Sequence, residues 1–395
     1  MKNRIRVIPN PSDIGILTFV HLSWDDYWMP DQHIMSRLAP HYKILWVTPP
    51  LHWRSAIHLG GSGASSRGVR KLSPSFWTYA PERYLPTVYR SKGVEGLFDK
   101  IRVKRIKSLL SSMGIKQLVL YIFNPMFASQ VGRFNEQLVC YHAYDEYTFS
   151  EIDLPISTAE SELIKKSDVV LMHSKTLCEK KGKLNPETYY IPNGVDFDHY
   201  RRISEESNII LKEFDSIPRP RIGYVGYIKS QLDLALLLGI ARKRKDWSIV
   251  LVGPVNTNHL EIQETVQLLR QENNVHFLGG KRPEDLPKYI NKLDVCLMCY
   301  RKTAYTKYIY PLKLHEYLAC GKPIVATCLD NLREFEEVLY FADGLEDWIE
   351  KIEKAYTDST TELEVRRIGV AKENSWEARI EAIRSILDSK LAGRI

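Results

Sequence analysis

Short apolar runs recur along the chain, and each is separated from the next by a stretch long enough for a helix. In the first half they cover residues 14–20, 43–47, 118–123, 137–141 and 169–173. In the second half they cover residues 221–227, 248–252, 275–278, 295–300 and 324–327. This is the spacing of βαβ units, which build parallel sheets. The pattern therefore predicts an α/β protein with two doubly wound sheets in series.

The length also predicts two domains, because 395 residues exceed the size at which a single core keeps growing. The polar residues 201–218 have the composition of a linker. We therefore expect an N-terminal domain over residues 1–200 and a second domain over residues 201–372. Residues 373–395 form a last segment, in which residues 375–391 have the apolar spacing and the capping residues of a helix.

Residues 310–327 combine helix signals with charged side chains: Tyr-Pro-Leu-Lys-Leu-His-Glu-Tyr-Leu-Ala-Cys-Gly-Lys-Pro-Ile-Val-Ala-Thr. Pro311 suits the first turn of a helix, and Gly321 suits its end. Lys313 and Glu316 would share one edge of that helix, near an N-terminus that attracts phosphate. A cation and a carboxylate in this position suit a nucleoside diphosphate. The alternative for Glu316 is an ordinary solvated helix position.

The composition, 44% hydrophobic and 26% charged, is typical of a soluble globular protein. The N-terminal residues lack the apolar core of a signal peptide, and no apolar run is long enough to cross a bilayer. Most of the six cysteines lie in apolar segments, as reduced core residues do, and Cys296 and Cys299 form an isolated CxxC within a strand. We therefore expect a cytoplasmic protein.

Basic residues are concentrated between residues 51 and 110, where twelve Lys or Arg accompany three acidic residues. This excess is larger than the +7 of the whole chain, so the rest of the protein is close to neutral. Aromatic residues are interspersed, and a Gly- and Ser-rich loop covers residues 60–68. The mixture favours the anionic surface of a membrane, and a solvated basic face is the alternative. We expect no nucleic acid partner, because no motif of a nucleic-acid-binding family accompanies the charge.

The motifs of both halves resemble, in order and spacing, those of GT-B glycosyltransferases, particularly the large retaining family 4. The closest segments are residues 223–226 (Gly-Tyr-Val-Gly), 250–254 (Val-Leu-Val-Gly-Pro), 275–279 (Val-His-Phe-Leu-Gly), 294–297 (Asp-Val-Cys-Leu) and 311–327; residues 124–125, 141–146, 173–174, 191–196 and 375–379 match more loosely. The resemblance implies two Rossmann-like domains that face a cleft. The first would bind the acceptor and the second the nucleotide-sugar, and the C-terminal helix would cross back to pack on the first.

Within this resemblance, Glu316 takes the position of the carboxylate that binds the ribose hydroxyls, and Leu312 and Lys313 lie at the diphosphate. The other predicted donor-binding residues come from the same motifs and from the loop before the helix: Gly226, Tyr227, Lys229, Gly253, Tyr300, Arg301, Tyr310 and Pro311. UDP is the nucleotide we expect. No constellation of metal ligands stands out, so we expect no metal and no cofactor, and cations of the protein would stabilise the departing diphosphate.

The sequence departs from the family 4 pattern at Tyr308, where that family has a second glutamate near the transferred sugar. The cations at the diphosphate are also arranged differently, and Lys229 or Arg301 would have to supply that charge. Loop lysines and arginines are commonly solvated, so both assignments remain open. The stereochemical outcome is open as well.

In the first half, residues 141–146 (Tyr-His-Ala-Tyr-Asp-Glu) follow a strand. We predict that Asp145 is catalytic, as the base of an inverting enzyme or as a positioning group in a retaining one. The alternative is that Asp145 caps a helix. His142 is the second catalytic candidate, although a histidine at a strand end is commonly part of the scaffold. His21, Trp24 and Asp25 are the acceptor-binding candidates, with Trp24 as a platform for a sugar ring.

The sequence therefore predicts metal-independent transfer of a sugar from a nucleoside diphosphate to a saccharide, lipid-linked or other glycoconjugate acceptor. The setting we expect is the assembly of a bacterial-type surface polysaccharide, in the cytoplasm or on the inner face of the cell membrane. The alternative is a non-catalytic GT-B-like module that binds a nucleotide-sugar or a glycan, since Tyr308 replaces a family glutamate.

Overall fold

The computed structural model describes residues 13–26, 28–57, 67–88, 92–148, 152–206, 209–256, 260–358 and 360–393. The chain divides into two compact units. Unit 1 comprises Met1–Thr148, Leu154–Pro192 and Ile380–Ile395, and unit 2 comprises Phe149–Asp153 and Asn193–Arg379. Each unit has its own sheet.

The elements of unit 1 begin with a strand and alternate with helices as predicted for βαβ units. They are β1 (Ile14–Phe19), α1 (Pro30–Leu38), β2 (Lys43–Val47), α2 (Trp53–Ile57), β3 (Gly68–Ser73), β4 (Phe76–Ala80), α3 (Lys92–Ser112), β5 (Gln117–Ile122), β6 (Leu138–Ala143), α4 (Thr158–Lys166), β7 (Val169–Met172), α5 (Lys175–Lys181) and β8 (Thr188–Tyr190), with 3-10 helices at Pro125–Gln130 and Gly182–Leu184. Within the described residues, the eight strands are ordered β3-β4-β2-β1-β5-β6-β7-β8. Only the β3–β4 pair among them is antiparallel.

The central strands of unit 1 are continuous apolar runs because they are buried on both faces. Ile16 of β1, for example, is fully buried and lies in register with Ile44 of β2 and Val119 of β5. Since parallel strands end at the same edge of a sheet, the loops after β1, β2, β4 and β6 are neighbours. The predicted acceptor residues lie in the loop after β1, Asp145 lies in the loop after β6, and His142 lies at the end of β6 itself.

Unit 2 repeats the alternation. Its elements are α6 (Phe197–Ser204), β9 (Arg221–Val225), α7 (Leu234–Lys243), β10 (Ser248–Val252), α8 (Leu260–Gln271), β11 (Val275–Gly279), α9 (Leu286–Asn291), β12 (Val295–Met298), α10 (Lys313–Ala319), β13 (Ile324–Thr327), β14 (Tyr340–Ala342), α11 (Leu345–Thr357), α12 (Thr361–Glu373) and α13 (Trp376–Ala392), with 3-10 helices at Lys212–Phe214, Pro283–Asp285 and Asp330–Phe335. Its described strands are all parallel, in the order β11-β10-β9-β12-β13-β14. The helices pack on this sheet, with α7 against β10 and α11 against β12 and β13.

The C-terminal helix α13 continues into unit 1, to which its residues from Ile380 onward belong. There Tyr42 Oη donates a hydrogen bond of 2.6 Å to Asp388, and Lys390 Nζ lies 2.6 Å from a carboxylate oxygen of Glu187. The predicted packing of this helix on the first half of the chain is therefore found within unit 1.

Some elements differ from the sequence prediction. The antiparallel strands β3 and β4 were not predicted, and helix α6 lies partly within the predicted linker of residues 201–218. Most of the predicted Gly- and Ser-rich loop, residues 60–66, lies outside the described residues. Across the described ranges, no helix is both long enough and apolar enough to span a bilayer.

Candidate functional site

Two glycines bring the chain segments after β9 and β10 into direct backbone contact. Gly226 N donates to Val252 O at 2.7 Å, and Gly253 N donates to Gly279 O at 2.9 Å. Both have positive φ, 143° at Gly226 and 147° at Gly253. A Cβ on Gly253 would overlap the carbonyl oxygen of Gly226, so the close contact between these two segments, which we call the glycine crossing, requires glycine at position 253. The absence of side chains at two successive strand ends leaves room for this backbone contact and for the Lys313 side chain beside Gly226.

Lys313 lies directly against this glycine backbone. It is the first residue of α10, its Nζ lies 5.3 Å from the centroid of the Tyr224 ring, and a Cβ on Gly226 would overlap its Cε and Nζ. Burial lowers the pKa of Lys313, and the neighbouring Lys229 lowers it further, whereas Glu316 raises it. Two ammonium groups therefore share this sheet edge, an arrangement that an anionic ligand would stabilise.

Glu316 lies three residues along the same helix from Lys313. Burial raises the pKa of the Glu316 carboxyl, while Lys313 and a hydrogen bond from the Tyr200 hydroxyl lower it. Tyr200 is buried on α6, and burial together with Glu316 raises the pKa of its hydroxyl well above the ordinary value. Glu316 itself remains partly exposed, so its carboxylate can also accept hydrogen bonds from a ligand.

The other predicted donor residues of unit 2 differ in exposure. The Tyr227 side chain follows Gly226 and is 45% exposed. Tyr300 is buried, and its hydroxyl is hydrogen-bonded to Tyr224. Arg301 is exposed, its backbone N donates to Gln231 O at 2.8 Å, and it lines a cavity of about 240 Å³.

The loop between β12 and α10 is fixed by two asparagine side chains that the sequence analysis did not single out. Asn331 Nδ2 donates to the carbonyls of Lys307 at 3.0 Å and Ile309 at 3.1 Å. Asn193 Nδ2 donates to the carbonyl of Tyr310 at 3.0 Å. These long-range bonds set the path of the chain as it enters α10.

Residues Tyr310, Pro311 and Leu312 lead into α10, which starts two residues later than the prediction placed it, with Leu312 at its N-cap. Pro311 is buried, and its carbonyl accepts from Leu314 N at 3.2 Å. The Tyr310 hydroxyl is hydrogen-bonded to His315 Nε2 at 2.7 Å. Burial lowers the pKa of His315 to about 3, so this imidazole is neutral and acts as part of the scaffold.

Tyr308 occupies the position at which the resemblance to family 4 implies a glutamate. It is buried, and its hydroxyl donates to the carboxylate of Asp153, which lies in the same unit. Lys307 Nζ lies 3.5 Å from the same carboxylate. An aspartate from a distant part of the chain therefore contacts the side chain that replaces the family glutamate.

In unit 1, the two predicted catalytic residues have different environments. His142 is buried in β6, its Nδ1 is 2.7 Å from the Tyr121 hydroxyl, and burial lowers its pKa to about 3. Asp145 lies after β6, is partly exposed, and accepts a 2.8 Å hydrogen bond from Glu146 N. In the described residues, the first helix after Asp145 is α4, and its N-cap is Ser157. The alternative that Asp145 caps a helix is therefore wrong for the described residues.

The residue after Asp145 anchors the segment in a buried ion cluster. Glu146 Oε1 lies 3.1 Å from Lys181 Nζ, which is also 2.7 Å from Glu160 Oε1, and all three side chains are almost completely buried. Thr148 Oγ1 donates to Glu146 at 2.7 Å. Burial alone would raise the pKa of Glu146, but Lys181 and Thr148 outweigh it, so the net pKa is lowered. The cluster, which sequence reasoning missed, fixes the backbone on which Asp145 lies.

The three predicted acceptor residues line one cavity of about 510 Å³ in unit 1. His21, Trp24 and Asp25 lie in the loop after β1, and the cavity extends to the loop after β2 and to strands β3 and β4. The Trp24 ring packs against Phe76 at 4.4 Å and against Trp46 at 5.2 Å between centroids. Trp24 is thus held by two aromatic neighbours, as an apolar platform for a sugar ring would need to be.

Among the described residues, no group of three or more His, Cys, Asp and Glu side chains is placed to hold a metal ion. The sequence contains one Asp-x-Asp, at Asp196 and Asp198, and the structure places it at the start of α6, where Asp196 is the N-cap. Cys296 and Cys299 are both buried, in and just after β12.

Part of the second half matches a known protein family. Residues 219–358 match the family described as "Glycosyl transferases group 1", a region that contains the glycine crossing, Lys313 and Glu316. A relative whose name assigns it to teichuronic acid biosynthesis as a glycosyltransferase, TuaH of Bacillus subtilis (strain 168), is 28% identical over 240 residues. The aligned region covers 58% of this chain and 58% of TuaH.

Solved structures give matches over nearly the whole chain. Sucrose-phosphate synthase from Thermosynechococcus elongatus superposes with a TM-score of 0.70 at 15% identity, covering 96% of this chain and 100% of that one. Anabaena Alr3699/HepE, in complex with UDP and glucose, superposes with a TM-score of 0.66 at 14% identity. The match covers 95% of this chain and 99% of that one. A structure described as "Trehalose-6-phosphate from E. coli bound with UDP-2-fluoro glucose" superposes with a TM-score of 0.69 at 10% identity. The match covers 95% of this chain and 99% of that one. These matches and the two parallel-rich sheets confirm the predicted GT-B fold.

Proposed function

We propose that this chain, which belongs to the group 1 glycosyltransferases, transfers a sugar from a nucleoside diphosphate donor to a saccharide or glycoconjugate acceptor. One observation carries the proposal. Within one turn of α10, Lys313 offers a cation directly against the backbone of Gly226, and Glu316 offers a carboxylate. Lys313 suits the diphosphate of the donor, and Glu316 suits its ribose hydroxyls.

UDP is the nucleotide we propose. The solved structures with the same fold include one that contains UDP and glucose and one that contains UDP-2-fluoro glucose. Thermal-shift screening of UDP, GDP, ADP and dTDP tests this assignment, and the largest stabilisation should come from UDP.

Positive charge from the protein would stabilise the departing diphosphate. Lys313 and Lys229 lie close enough for each ammonium to affect the other, and Arg301 belongs to the loop that follows β12. Lys313 and Lys229, with Arg301 as a further candidate, would supply the electrostatic stabilisation that a divalent ion supplies in other transferases. We therefore propose that the reaction does not need a metal ion.

Asp145 is the carboxylate that we assign to the reaction in unit 1. It is partly exposed, and the Glu146–Lys181–Glu160 cluster fixes the adjoining backbone. His142 is neutral and buried, so we assign it a positioning role, in which its hydrogen bond to Tyr121 orders the end of β6. Asp145 acts as a base if the reaction inverts and positions the sugar if it retains.

We place the reaction in the assembly of a bacterial-type surface polysaccharide. The support is the name of the relative TuaH, which refers to teichuronic acid biosynthesis. A saccharide acceptor fits the cavity around Trp24, whose volume of about 510 Å³ lies in the range of small-molecule sites. We propose that His21, Trp24 and Asp25 contact that acceptor.

The transfer itself is tested with UDP-, GDP-, ADP- and dTDP-linked sugars, by measuring nucleoside diphosphate release with and without oligosaccharide acceptors. We expect release from UDP-sugars, stimulated by acceptor and unchanged by excess chelator. Activity that is lost in chelator and restored only by Mg²⁺ or Mn²⁺ would refute the metal-independent route. Nucleotide-sugar binding without release from any donor would favour the non-catalytic module.

We also propose that helix α3 docks the protein on an anionic membrane. Three apolar side chains lie on one exposed face of its first half: Val94, Leu97 and Ile101, which are 43%, 57% and 41% exposed. Tyr84, 71% exposed, precedes this helix in a loop whose Leu85 carbonyl accepts from Arg102 of α3 at 3.3 Å. Apolar and aromatic side chains on a solvent-facing helix suit insertion at the lipid interface.

The charges of α3 are sorted in a way that supports this docking. Its two partly exposed acidic residues are both neutralised, because Glu95 pairs with Arg102 and Asp99 pairs with Arg133. From residue 100 onward its exposed side chains include four cations: Lys100, Lys104, Arg105 and Lys107. The outward charge of this helix is therefore positive, which complements anionic lipid and agrees with the excess of basic residues between positions 51 and 110.

Vesicle flotation tests this surface. The wild-type chain should float with phosphatidylcholine vesicles that contain phosphatidylglycerol and not with pure phosphatidylcholine. Replacing Lys100, Lys104 and Lys107 together with glutamine should weaken binding roughly a hundredfold, at about 1 kcal/mol per lysine. Leu97→Ser with Ile101→Ser should also weaken it. Val365→Ser changes a 63% exposed valine on α12 and should have no effect. Equal flotation with both lipids would refute the docking proposal.

A further inference from the structure

The cavity around Trp24 has a cation on its wall that no carboxylate balances. Arg67 and Arg70 both line the cavity. Arg70 Nη2 lies 2.8 Å from a carboxylate oxygen of Asp25, so these two charges neutralise each other. Arg67 forms no ion pair within the described residues; its Nη1 donates to the carbonyl of Pro81 at 2.7 Å, and its Nε is buried without a hydrogen-bond partner.

Nearby acidic residues are engaged elsewhere. Glu82 accepts a 2.8 Å hydrogen bond from Tyr79, and its other oxygen lies 3.5 Å from Arg105. Asp26 accepts a 2.7 Å hydrogen bond from Ser23 N. Residues 58–66, which precede Arg67 in the chain, contain no Asp or Glu. The local charge around Arg67 is therefore positive.

The electrostatic environment of Arg67 agrees with this geometry. Burial lowers the pKa of its guanidinium, and the like charge of Arg83 lowers it further. A half-buried guanidinium beside a second cation is stabilised by an anion, and its planar fork matches a carboxylate or a phosphate with two hydrogen bonds. A neutral saccharide in the cavity would leave this charge unbalanced.

We propose that the acceptor bound in this cavity carries an acidic group, a carboxylate or a phosphate, which Arg67 recognises. The inference rests on the proposed function, because it names the chemical class of the acceptor. In this arrangement the apolar face of a sugar ring lies on Trp24, and the acidic group lies at Arg67. Arg67 is thus a residue that selects acidic over neutral acceptors.

Saturation-transfer NMR with three sugars tests the proposal: methyl β-glucuronide, glucose 6-phosphate and the neutral methyl β-glucoside. Both acidic sugars should bind the wild-type chain about tenfold more tightly than the neutral one, and the preference should shrink with added salt. The tighter of the two identifies a carboxylate or a phosphate as the natural group. Arg67→Gln should remove the preference, and Arg67→Lys should restore part of it, since lysine keeps the charge without the fork.

Lys166→Gln is the matched control, because it removes one positive charge from an exposed position on α4, outside the cavity. It should leave all three affinities unchanged. UDP affinity, measured on the same samples, should be equal in the wild type and in Arg67→Gln. If the wild-type chain did not bind UDP, that result would count against the proposed donor site and not against the role of Arg67. Equal binding of neutral and acidic sugars, a preference that survives Arg67→Gln, or no binding of either acidic sugar would overturn the proposal.

Discussion

Replacing Glu316 with alanine is expected to weaken UDP binding and to abolish the preference of the protein for UDP over dUDP. The variant lacks the carboxylate that would hydrogen-bond to the ribose hydroxyls. A hydrogen bond with one charged partner contributes about 1.5–3 kcal/mol, so the loss of one such bond should raise Kd roughly tenfold to a hundredfold. The variant also removes the negative charge that raises the pKa of Lys313. Isothermal titration calorimetry with UDP and with dUDP measures both the loss of UDP affinity and the loss of the preference for UDP.

The comparison of the two nucleotides isolates the ribose contact from general damage. dUDP lacks the 2′-hydroxyl, so a variant without the carboxylate should bind UDP and dUDP equally, as in a double-mutant cycle. Tyr200→Phe removes the hydroxyl that hydrogen-bonds to Glu316 and should have a smaller effect in the same direction. Glu350→Ala, an exposed carboxylate on α11, is the control and should change neither affinity. An undiminished preference for UDP in Glu316→Ala would show that the ribose assignment is wrong.

The sequence was sufficient for the fold because most strands are buried and parallel. Strands such as β1, β2 and β10 are continuous apolar runs, and the helices between them have the expected length. Strand β3 was missed because it lies at the sheet edge, where Val69, Lys71 and Leu72 are all exposed and no alternation marks the buried face. Helix α6 was missed because its segment is polar apart from Phe197, Tyr200 and Ile203.

The candidate site was only partly visible for a similar reason. Lys313 and Glu316 are neighbours on one helix, so local spacing alone placed them together. The partners that hold the site come from distant positions, as Tyr200 does for Glu316 and Asn193 does for Tyr310. Contacts across such separations leave no periodic signal in a single sequence. The roles assigned to the individual residues stay predictions.

Replacing Lys313 with glutamine is expected to lower kcat by roughly a hundredfold to a thousandfold, the usual loss when one group that stabilises the departing charge is removed. The ground-state diphosphate attracts the same cation, so UDP affinity should also fall, although by less than kcat if the charge on the leaving group increases in the transition state. Lys354→Gln, at an exposed position of α11, is the control and should have no effect.

The pH dependence of kcat/KM identifies Lys313 more sharply than the loss of rate does, because kcat/KM reports groups of the free protein. The pKa of Lys313 is lowered by burial and by Lys229 and raised by Glu316. As pH rises through that pKa the cation is lost, so the alkaline limb should lie below the pH at which an ordinary lysine titrates. Lys229→Gln should move the limb to higher pH, and Glu316→Gln should move it to lower pH. A limb that neither variant moves would assign the titration to another group, and the diphosphate cation would then have to be sought at Arg301.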